Sequence, residues 1–424
     1  FQSSYNLYFM NHKLKLKQAI LSALIIILFA ALSYSQSQPY VILISFDGYR
    51  WDYVNRGITP NINLIINEGV VATSFKPVFP TKTFPNHISI VTGMYPENHG
   101  IIFNEFKDPF NDRYYYIGDS LEVRDSRWYK GEAFWETARR QGIITASYFW
   151  PSSDMNLEYR RPDYFLHYEH EIPYDVRVNS VLDWLQLPYN ERPHFITMYF
   201  DLTDGVGHRY GPISLEIDMA ISSLDSTLGK LLSGLEEIQM RDSVNIILVS
   251  DHGMTEVHFE KIINVEEMLE GYQFVSSNNG PAMMISADAD DIEKIYSLLK
   301  KNENHYKVYL KNDIPPFYHF SKSPMISEIL LVAEMGWAVI TNKDLKWMKP
   351  EKYNGNHGYD NHHLDMHGVF VAAGPQFKNN YKTGTINCLD VYSLLCKIFR
   401  IIPNSNIDGK LERIEFILYE DLGK

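Results

Sequence analysis

Side chains that can bind metal ions recur in five short segments spread over about three hundred residues of a 424-residue chain. These segments are Phe46-Asp47-Gly48, Lys82–His87, Asp204–His208, Ser250–Met254 and Asn356–Asp360. The best-placed ligands among them are three Asp, three His and one hydroxyl. Such a set could hold two neighbouring divalent cations and supply a nucleophile, which are the groups that phosphoryl transfer needs.

Two of these segments directly follow apolar runs that predict buried strands. Asp47 follows Tyr40–Ser45, and the pair Asp251-His252 follows Ile246–Ser250. Ligands of open α/β sheets bind beyond the carboxyl ends of the strands. We therefore expect these side chains to meet at one edge of a sheet, where a carboxylate and an imidazole can share a cation.

Asp204 and His208 are spaced four residues apart, and one helical turn would place them on the same face. Gly205 and Gly207 lie between them and favour a loop over a helix. The segment is therefore predicted as a loop that converges on the same cations.

Thr83 precedes Phe84–Gly93, a segment with Pro85 near its start and Gly93 at its end, which predicts a helix with Thr83 as its N-cap. One interpretation is a structural cap that contributes about 1 kcal/mol. The other is a nucleophile, because a helix N-terminus favours bound phosphate and a coordinated cation lowers a hydroxyl pKa.

The wider pattern alternates strands with helices, which predicts a doubly wound α/β sheet. The predicted strands are Tyr40–Ser45, Ile143–Trp150, Phe195–Phe200 and Val244–Val249, and the predicted helices are Pro60–Asn67, Phe134–Arg140, Arg177–Leu187, Leu215–Gln239 and Leu389–Phe399. Residues 257–350 are predicted to form a smaller inserted α+β lobe, with the chain returning to the main sheet at His367–Val371.

The net charge of −13 argues against binding to long nucleic acid, which needs a basic surface. A small anionic substrate remains compatible with this charge if metal ions supply positive charge locally.

Residues 1–35 combine lysines, a short apolar run from Ala19 to Leu32 and small residues at the end, a pattern typical of a secretory signal peptide. Residues 36–424 are then the catalytic domain. The apolar run is short for a membrane span, so a periplasmic or secreted protein is expected, with no stable span after cleavage. Cys388 and Cys396 are expected to be buried and unpaired.

These motifs resemble those of the nucleotide pyrophosphatase/phosphodiesterase family of the alkaline phosphatase superfamily, over roughly residues 40–400. The resemblance implies an alkaline phosphatase-like mixed sheet. It also implies that Asp47, Thr83, Asp251 and His252 hold one cation, and that Asp204, His208 and His357 hold the second. The mixture of nitrogen and oxygen ligands favours zinc, with manganese or iron left open.

The same resemblance assigns substrate contacts. Asn104 matches a residue that donates to a phosphate oxygen, while Phe84 and Tyr168 match an aromatic pair around a nucleobase. Trp150 and Asp154 match the nucleotide-pocket segment. Core packing is the alternative for each aromatic residue. His367 is a rival third imidazole ligand, although the Gly-x-His-Gly-x-Asp pattern favours His357.

The sequence thus predicts an exported two-metal enzyme that cleaves nucleoside triphosphates, dinucleotides or other phosphodiesters to nucleoside monophosphates through a phospho-threonine. A phosphomonoesterase is one alternative, although Lys82, the only cationic side chain beside Thr83, is expected to point away. A choline or lysophospholipid phosphodiesterase is a second alternative, and a binding protein without turnover is a third.

Overall fold

The computed structural model describes residues 38–278, 280–348 and 354–420. The predicted signal peptide lies outside these residues. Across the three described stretches, none of the helices combines the length and the apolar character that crossing a bilayer requires. Residues from Tyr40 onward form one compact unit that includes both of the larger sheets described below.

Twenty strands occur in the described residues, and they are β1 Tyr40–Phe46, β2 Val70–Ala72, β3 Phe75–Lys76, β4 Glu105–Lys107, β5 Tyr114–Tyr116, β6 Thr145–Tyr148, β7 Tyr164–Phe165, β8 Phe195–Phe200, β9 Val244–Val249, β10 Thr255–Glu256, β11 Ile262–Asn264, β12 Phe274–Ser277, β13 Ala282–Ala287, β14 Tyr306–Leu310, β15 Ile329–Ala333, β16 Ala338–Ile340, β17 Gly355–Asn356, β18 Phe370–Ala373, β19 Tyr381–Thr383 and β20 Ile386–Asn387.

Twelve α-helices occur in the same part of the chain, and they are α1 Pro60–Glu68, α2 Thr83–Thr92, α3 Pro96–His99, α4 Ser120–Arg124, α5 Phe134–Arg140, α6 Tyr174–Leu185, α7 Leu202–Tyr210, α8 Leu215–Glu237, α9 Val265–Met268, α10 Ala289–Lys301, α11 Asn342–Trp347 and α12 Asp390–Phe399.

Eight strands form the main sheet in the order β19-β2-β18-β9-β1-β8-β6-β7. Strand β18 runs antiparallel to both of its neighbours, and the other pairs are parallel. Parallel strands buried on both faces read as continuous apolar runs. This explains why β1, all seven of whose residues are buried, has no polar alternation.

Both faces of the main sheet are covered by helices. Val41 and Leu43 of β1 share a core with residues of α2, α5 and α12. Ile42 and Ile44 point to the opposite face and pack with α1, α6 and α8. The predicted α/β class, a doubly wound mixed sheet with helices on both faces, is therefore confirmed.

A second, antiparallel sheet has the order β12-β13-β15-β14 and falls within residues 257–350. Met283 and Ile285 of β13 pack on the side of α10, whereas Met284 packs on a core that contains Phe79 and Phe103. The remaining strands form two-stranded pairs. One of these, β10-β17, brings the segment around His357 next to the end of β9.

Two local predictions were wrong. Asp204–His208 lies inside helix α7, because the two glycines are tolerated there: Gly205 has open space around its Cβ position, and Gly207 packs against Met254. Thr83 is the first residue of α2, and the residue that precedes the helix in an extended conformation is Lys82. Cys388 and Cys396 are both buried and free, as predicted.

Candidate metal and nucleophile site

The carboxyl ends of three neighbouring strands place acidic side chains at one edge of the main sheet. Ser45 of β1 lies level with Tyr199 of β8 and Val249 of β9. Asp47 and Asp251 therefore leave the sheet at the same height. Gly48 has a positive φ of 64°, and a Cβ there would lie 2.9 Å from the Cα of Asp204. The missing side chain lets the start of α7 approach the end of β1.

His252 lies at the centre of the site. Its Nε2 atom is 3.2 Å from Oδ1 of Asp47, 3.1 Å from Oδ2 of Asp251 and 3.3 Å from Oγ1 of Thr83. All of these side chains except that of Thr83 are buried. The structure thus brings together the four residues assigned to the first cation.

The residues assigned to the second cation lie directly beside this group. Oδ1 of Asp204 is 3.4 Å from Nε2 of His208 and 3.5 Å from Nε2 of His357. The ring of His357 stacks on that of His252 with centroids 3.5 Å apart. His208 sits at the end of α7 with its side chain 37% exposed, so the solvent reaches the site from this side.

The three imidazoles share one tautomer. Nδ1 of His252 contacts the carbonyl of Gly253, Nδ1 of His208 contacts that of Gly355, and Nδ1 of His357 contacts that of Thr81, all at 2.8–2.9 Å. A carbonyl only accepts, so each Nδ1 donates and each Nε2 is the free nitrogen in the neutral ring. Backbone acceptors of this kind orient metal-binding imidazoles.

Three carboxylate oxygens at the site lack any hydrogen-bond partner, namely Oδ1 of Asp47, Oδ1 of Asp204 and Oδ2 of Asp251. Burial without a partner is costly for such groups. The arrangement therefore needs positive charge between the carboxylates and the imidazoles. Carboxylate oxygens and free imidazole nitrogens are suitable ligands for a divalent cation, so the residues present fit one.

The pKa values of the buried carboxyl and imidazole groups also indicate that this site favours positive charge. Burial raises the pKa of Asp204 to about 6. Burial and the charge of Asp251 raise the pKa of Asp47. Burial alone would lower the pKa of His252, but Asp251 and Asp47 together raise it well above its usual value. The two carboxylates thus favour positive charge at the position of His252.

Distances between the His and carboxylate ligand atoms place the site residues in two groups of three. One group of ligand atoms within 4.8 Å of one another consists of Asp204, His252 and His357, and the other consists of Asp47, His87 and Asp251. His252 therefore lies between the two sets. Nδ1 of His87 donates to the carbonyl of Thr83 at 2.9 Å, and its Nε2 is 2.8 Å from Oγ of Ser45. Both ring nitrogens are therefore occupied, which makes His87 a support rather than a ligand.

Asn104 is tied to the start of helix α2. Its Oδ1 accepts the backbone N–H of Phe84 at 3.1 Å, so one of the first amides of the helix is already satisfied. The amide nitrogen of Asn104 is the group that remains to donate to a phosphate oxygen. This contact also fixes Thr83, which precedes Phe84.

Two of the four predicted pocket residues have accessible surfaces. Tyr168 is 46% exposed and packs edge-on against Phe149 and Tyr199, with centroids 5.3 and 6.1 Å away. Phe84 is partly buried, and its ring meets the edge of Tyr115 at 6.4 Å. Both lie close to the site. Phe84 directly follows Thr83 in the sequence, and Tyr168 contacts Tyr199, whose hydroxyl donates to Asp47.

The other two pocket residues are buried. Trp150 is 2% exposed and donates its Nε1–H to the carbonyl of His87 at 3.1 Å, so it supports helix α2 from inside the core. Asp154 is 9% exposed, and its Oδ2 accepts from Nε of Arg124 and Nδ1 of His167. Its carboxylate is thus already held by two side chains.

The expected orientation of Lys82 was wrong. A Cβ on Gly358 would lie 2.5 Å from Cε and 3.1 Å from Nζ of Lys82, so the ammonium occupies the space beside His357. Burial lowers the pKa of Lys82 to about 8, and the charges of Asp204 and Glu105 oppose that change. The side chain of Lys82 fits there because residue 358 is glycine, and no local pattern in the sequence predicts this contact.

Sequence reasoning also left out His87 and Tyr199. His87 is one turn beyond Thr83 on α2, and this spacing could have pointed to it. Tyr199 lies inside a strand whose residues are otherwise mostly apolar. His367 is excluded as a rival ligand, because Nδ1 contacts Ser74 Oγ at 2.9 Å and Nε2 contacts the carbonyl of Asn361 at 3.1 Å.

Residues 41–360 match the family model described as type I phosphodiesterase / nucleotide pyrophosphatase. The chain belongs to this family, which confirms the family and the class of enzyme that the motifs predict.

Curated relatives match most of the chain. Human ectonucleotide pyrophosphatase/phosphodiesterase family member 1 is 36% identical over 392 residues, covering 89% of this chain and 42% of that protein. Bovine family member 3 is 35% identical over 389 residues, covering 89% and 44%. The chain thus spans less than half of these two relatives. The bis(5'-adenosyl)-triphosphatase of Xenopus laevis is 35% identical, covering 91% of this chain and 82% of that protein.

Solved structures show the same fold. Murine family member 5 superposes with a TM-score of 0.84 at 30% identity, covering 90% of this chain and all of that one. An inactive threonine-to-alanine variant of the murine protein, solved in complex with AMP, gives a TM-score of 0.85 at 30% identity over the same shares of both chains.

Proposed function

We propose that this chain is a two-metal hydrolase that cleaves nucleoside triphosphates, dinucleotides or related phosphodiesters at phosphorus and releases nucleoside monophosphates. The observation that carries the proposal is the position of the Thr83 hydroxyl. It lies at the start of helix α2, 3.3 Å from Nε2 of His252, among carboxylate oxygens that have no partner. A hydroxyl in this setting can become a nucleophile.

Asp47, Thr83, Asp251 and His252 would hold one cation, and Asp204, His208 and His357 would hold the other. When bound, two cations lower the pKa of a coordinated oxygen and stabilise the charge that develops on the attacking and leaving oxygens. The choice of zinc is supported by three imidazoles with a free Nε2 that lie beside three carboxylates with a partnerless oxygen.

The chain's own residues supply the remaining steps. Oγ1 of Thr83 gives up its proton to solvent and forms a bond to phosphorus, while the bond from phosphorus to the leaving oxygen breaks and the leaving group departs as an anion. The nucleotidyl group stays on Thr83 until water attacks phosphorus, which releases the nucleoside monophosphate and restores the Thr83 hydroxyl. The Asn104 amide would donate to a phosphate oxygen, held in place by its bond to Phe84 N–H. His87 and Trp150 keep the helix in position.

Nucleotides are the favoured substrates because exposed aromatic surface lies beside the site. Tyr168 and Phe84 would contact a nucleobase, where stacking on each ring contributes about 1–3 kcal/mol. AMP is present in the complex of the murine relative, and the amphibian relative is named as a bis(5'-adenosyl)-triphosphatase. Asp154 would lie near the base or its water molecules, as the resemblance implies.

A phosphomonoesterase is the second candidate, because Lys82 brings a cationic group beside His357. A monoester carries an additional negative charge that this ammonium could balance. Choline and lysophospholipid diesters belong to the same chemical class as the favoured substrates. The net charge of −13 disfavours long nucleic acid as a partner.

We also propose export to the periplasm or secretion, with residues 1–35 as a signal peptide and residues 36–424 as the catalytic domain, in which 257–350 form the smaller lobe. Names of relatives that begin with "ecto" or "venom" support the location.

The deciding experiment gives the zinc-loaded protein a panel of nucleotides, dinucleotides, choline phosphodiesters and two chromogenic esters, one a bis-ester and one a mono-ester. Products are identified by mass. Release of a nucleoside monophosphate, with faster bis-ester than mono-ester turnover, supports the proposal. Faster mono-ester turnover would select the second candidate, and ligand binding without product would indicate a binding protein.

A further inference from the structure

One partly buried hydroxyl lies against a proposed metal ligand without being a ligand itself. Tyr199 of β8 donates its O–H to Oδ2 of Asp47 at 2.5 Å. The two residues come from neighbouring strands, since β1 pairs with β8 along its length. The contact therefore belongs to the sheet itself and does not depend on a loop.

This hydrogen bond leaves Asp47 one oxygen for a cation. Oδ1 of Asp47 has no hydrogen-bond partner and is 3.2 Å from Nε2 of His252. Asp251 repeats the pattern, because its Oδ1 accepts the backbone N–H of Gly48 at 3.3 Å while its Oδ2 has no partner. Each carboxylate thus has one oxygen held by the protein and one facing the imidazole.

Tyr199 is itself fixed on several sides. Its carbonyl accepts from Nη1 of Arg177 at 2.7 Å, and Arg177 is fully buried. Its ring meets the edge of His87 at 5.2 Å and the edge of Tyr168 at 6.1 Å. A ring held in this way keeps its hydroxyl aimed at Asp47.

We propose that Tyr199 is a positioning residue that limits Asp47 to one coordinating oxygen and strengthens the binding of the cation beside Thr83. The proposal rests on the proposed function, because it needs Asp47 to be a metal ligand. It implies a centre built from single donor atoms, which suits a small four-coordinate cation such as zinc better than calcium, which takes six to eight oxygens.

The test is zinc titration by calorimetry on the chelator-stripped protein, comparing the parent with Tyr199→Phe. The variant keeps the ring and loses only the donor. We expect one of the two zinc sites to weaken about 10- to 100-fold, the usual effect of removing such a partner. Activity at limiting zinc should fall in parallel and recover in excess zinc.

Tyr174→Phe is the matched control. Tyr174 donates its O–H to Oδ1 of Asp201 at 3.0 Å, a bond of the same kind to a carboxylate that is not a proposed ligand. Its zinc affinities should equal those of the parent. A double-mutant cycle with Asp47→Asn adds a second comparison, because Tyr199→Phe should have no further effect once that carboxylate is gone.

Unchanged or tighter zinc binding by Tyr199→Phe would overturn the inference about Tyr199. The proposed function would still stand in that case if the parent binds two zinc ions and turns over substrate. A parent that binds no zinc would overturn both.

A zinc-bound crystal structure of the parent tests the inference without any variant. Coordination through Oδ1 alone, with Oδ2 on Tyr199, supports the inference, and coordination through both oxygens contradicts it.

Discussion

Oγ1 of Thr83 lies 3.3 Å from Nε2 of His252, although 169 residues separate the two along the chain. The first residue of helix α2 and the turn directly after strand β9 supply these atoms. Nδ1 of His252 is committed to the carbonyl of Gly253, so its free nitrogen faces the hydroxyl. A nucleophile and a metal-binding nitrogen are thus held together by two rigid elements.

Replacing Thr83 with alanine removes the only atom that the proposal allows to attack phosphorus. Turnover should fall by roughly four orders of magnitude or more, as in other enzymes that lose a nucleophile. Nucleotide affinity and the melting temperature should change little. Thr83→Ser keeps a hydroxyl and should retain measurable turnover. Steady-state kinetics on a chromogenic bis-ester measure the effect, and near-parent rates for the alanine variant would remove Thr83 from its role.

Removal of metal should destabilise the protein, because three buried carboxylate oxygens at the site have no other partner. A ligand at one thousand times its dissociation constant contributes about 4 kcal/mol to the free energy of unfolding. We therefore expect a chelator to lower the melting temperature and zinc to restore it.

The control for this prediction is Asp225→Asn. Asp225 is also a buried carboxylate, but it accepts from the backbone of Asn61 and Ile62 at the start of α1, away from the site. Its replacement should lower stability without altering the response to chelator. Asp251→Asn should weaken that response, because it removes a ligand of one of the two cations, and a full chelator effect in this variant would contradict the assignment of Asp251.

Tyr168→Ala should separate nucleotides from small diesters. The ring is 46% exposed beside Tyr199, so its loss should raise the KM for nucleotides by about 10-fold while sparing a small chromogenic diester. Tyr159, which is 71% exposed, offers a matched alanine control with no expected effect on either substrate. Equal losses on both substrates would make Tyr168 a structural residue.

His99 should make the fold sensitive to acid. Burial lowers the pKa of His99 to about 3, although its Nε2 lies 3.2 Å from the carbonyl of Pro85, a contact that acts in the opposite direction. The unfolded chain therefore binds a proton that the folded chain does not between about pH 6.5 and that value, and stability falls as pH falls, by about 1.4 kcal/mol per unit.

Chemical denaturation at about pH 7 and about pH 5 measures this effect, and His99→Asn should lose about 2 kcal/mol less than the parent over that interval. Both proteins are compared in chelator, so the titration of the metal-binding groups cancels. Equal losses in the two proteins would show that His99 is not the group responsible.

The sequence predicted those parts of the fold that local patterns determine. Strand β8 and helix α5 have the predicted bounds, because an apolar run and an amphipathic repeat each end at a turn. Asp47, Asp251 and His252 were placed correctly for the same reason, since they follow strands that are parallel neighbours.

The rest depended on contacts between distant segments. Gly205 and Gly207 disfavour a helix locally, but Met254 packs on Gly207 and the helix forms. The side chain of Lys82 occupies the space that a side chain at position 358 would fill, which is open because residue 358 is glycine. Trp150 points into the core, where its Nε1–H donates to the carbonyl of His87. None of these relationships has a signature in the spacing of residues.

The most direct test of the central claim is a crystal structure of the zinc-loaded protein with anomalous scattering recorded at the zinc edge. The account predicts two anomalous peaks among Asp47, Asp204, Asp251, His252 and His357, with Oγ1 of Thr83 at about 2 Å from one of them. Peaks elsewhere, or a Thr83 oxygen beyond coordination distance from both ions, would contradict it.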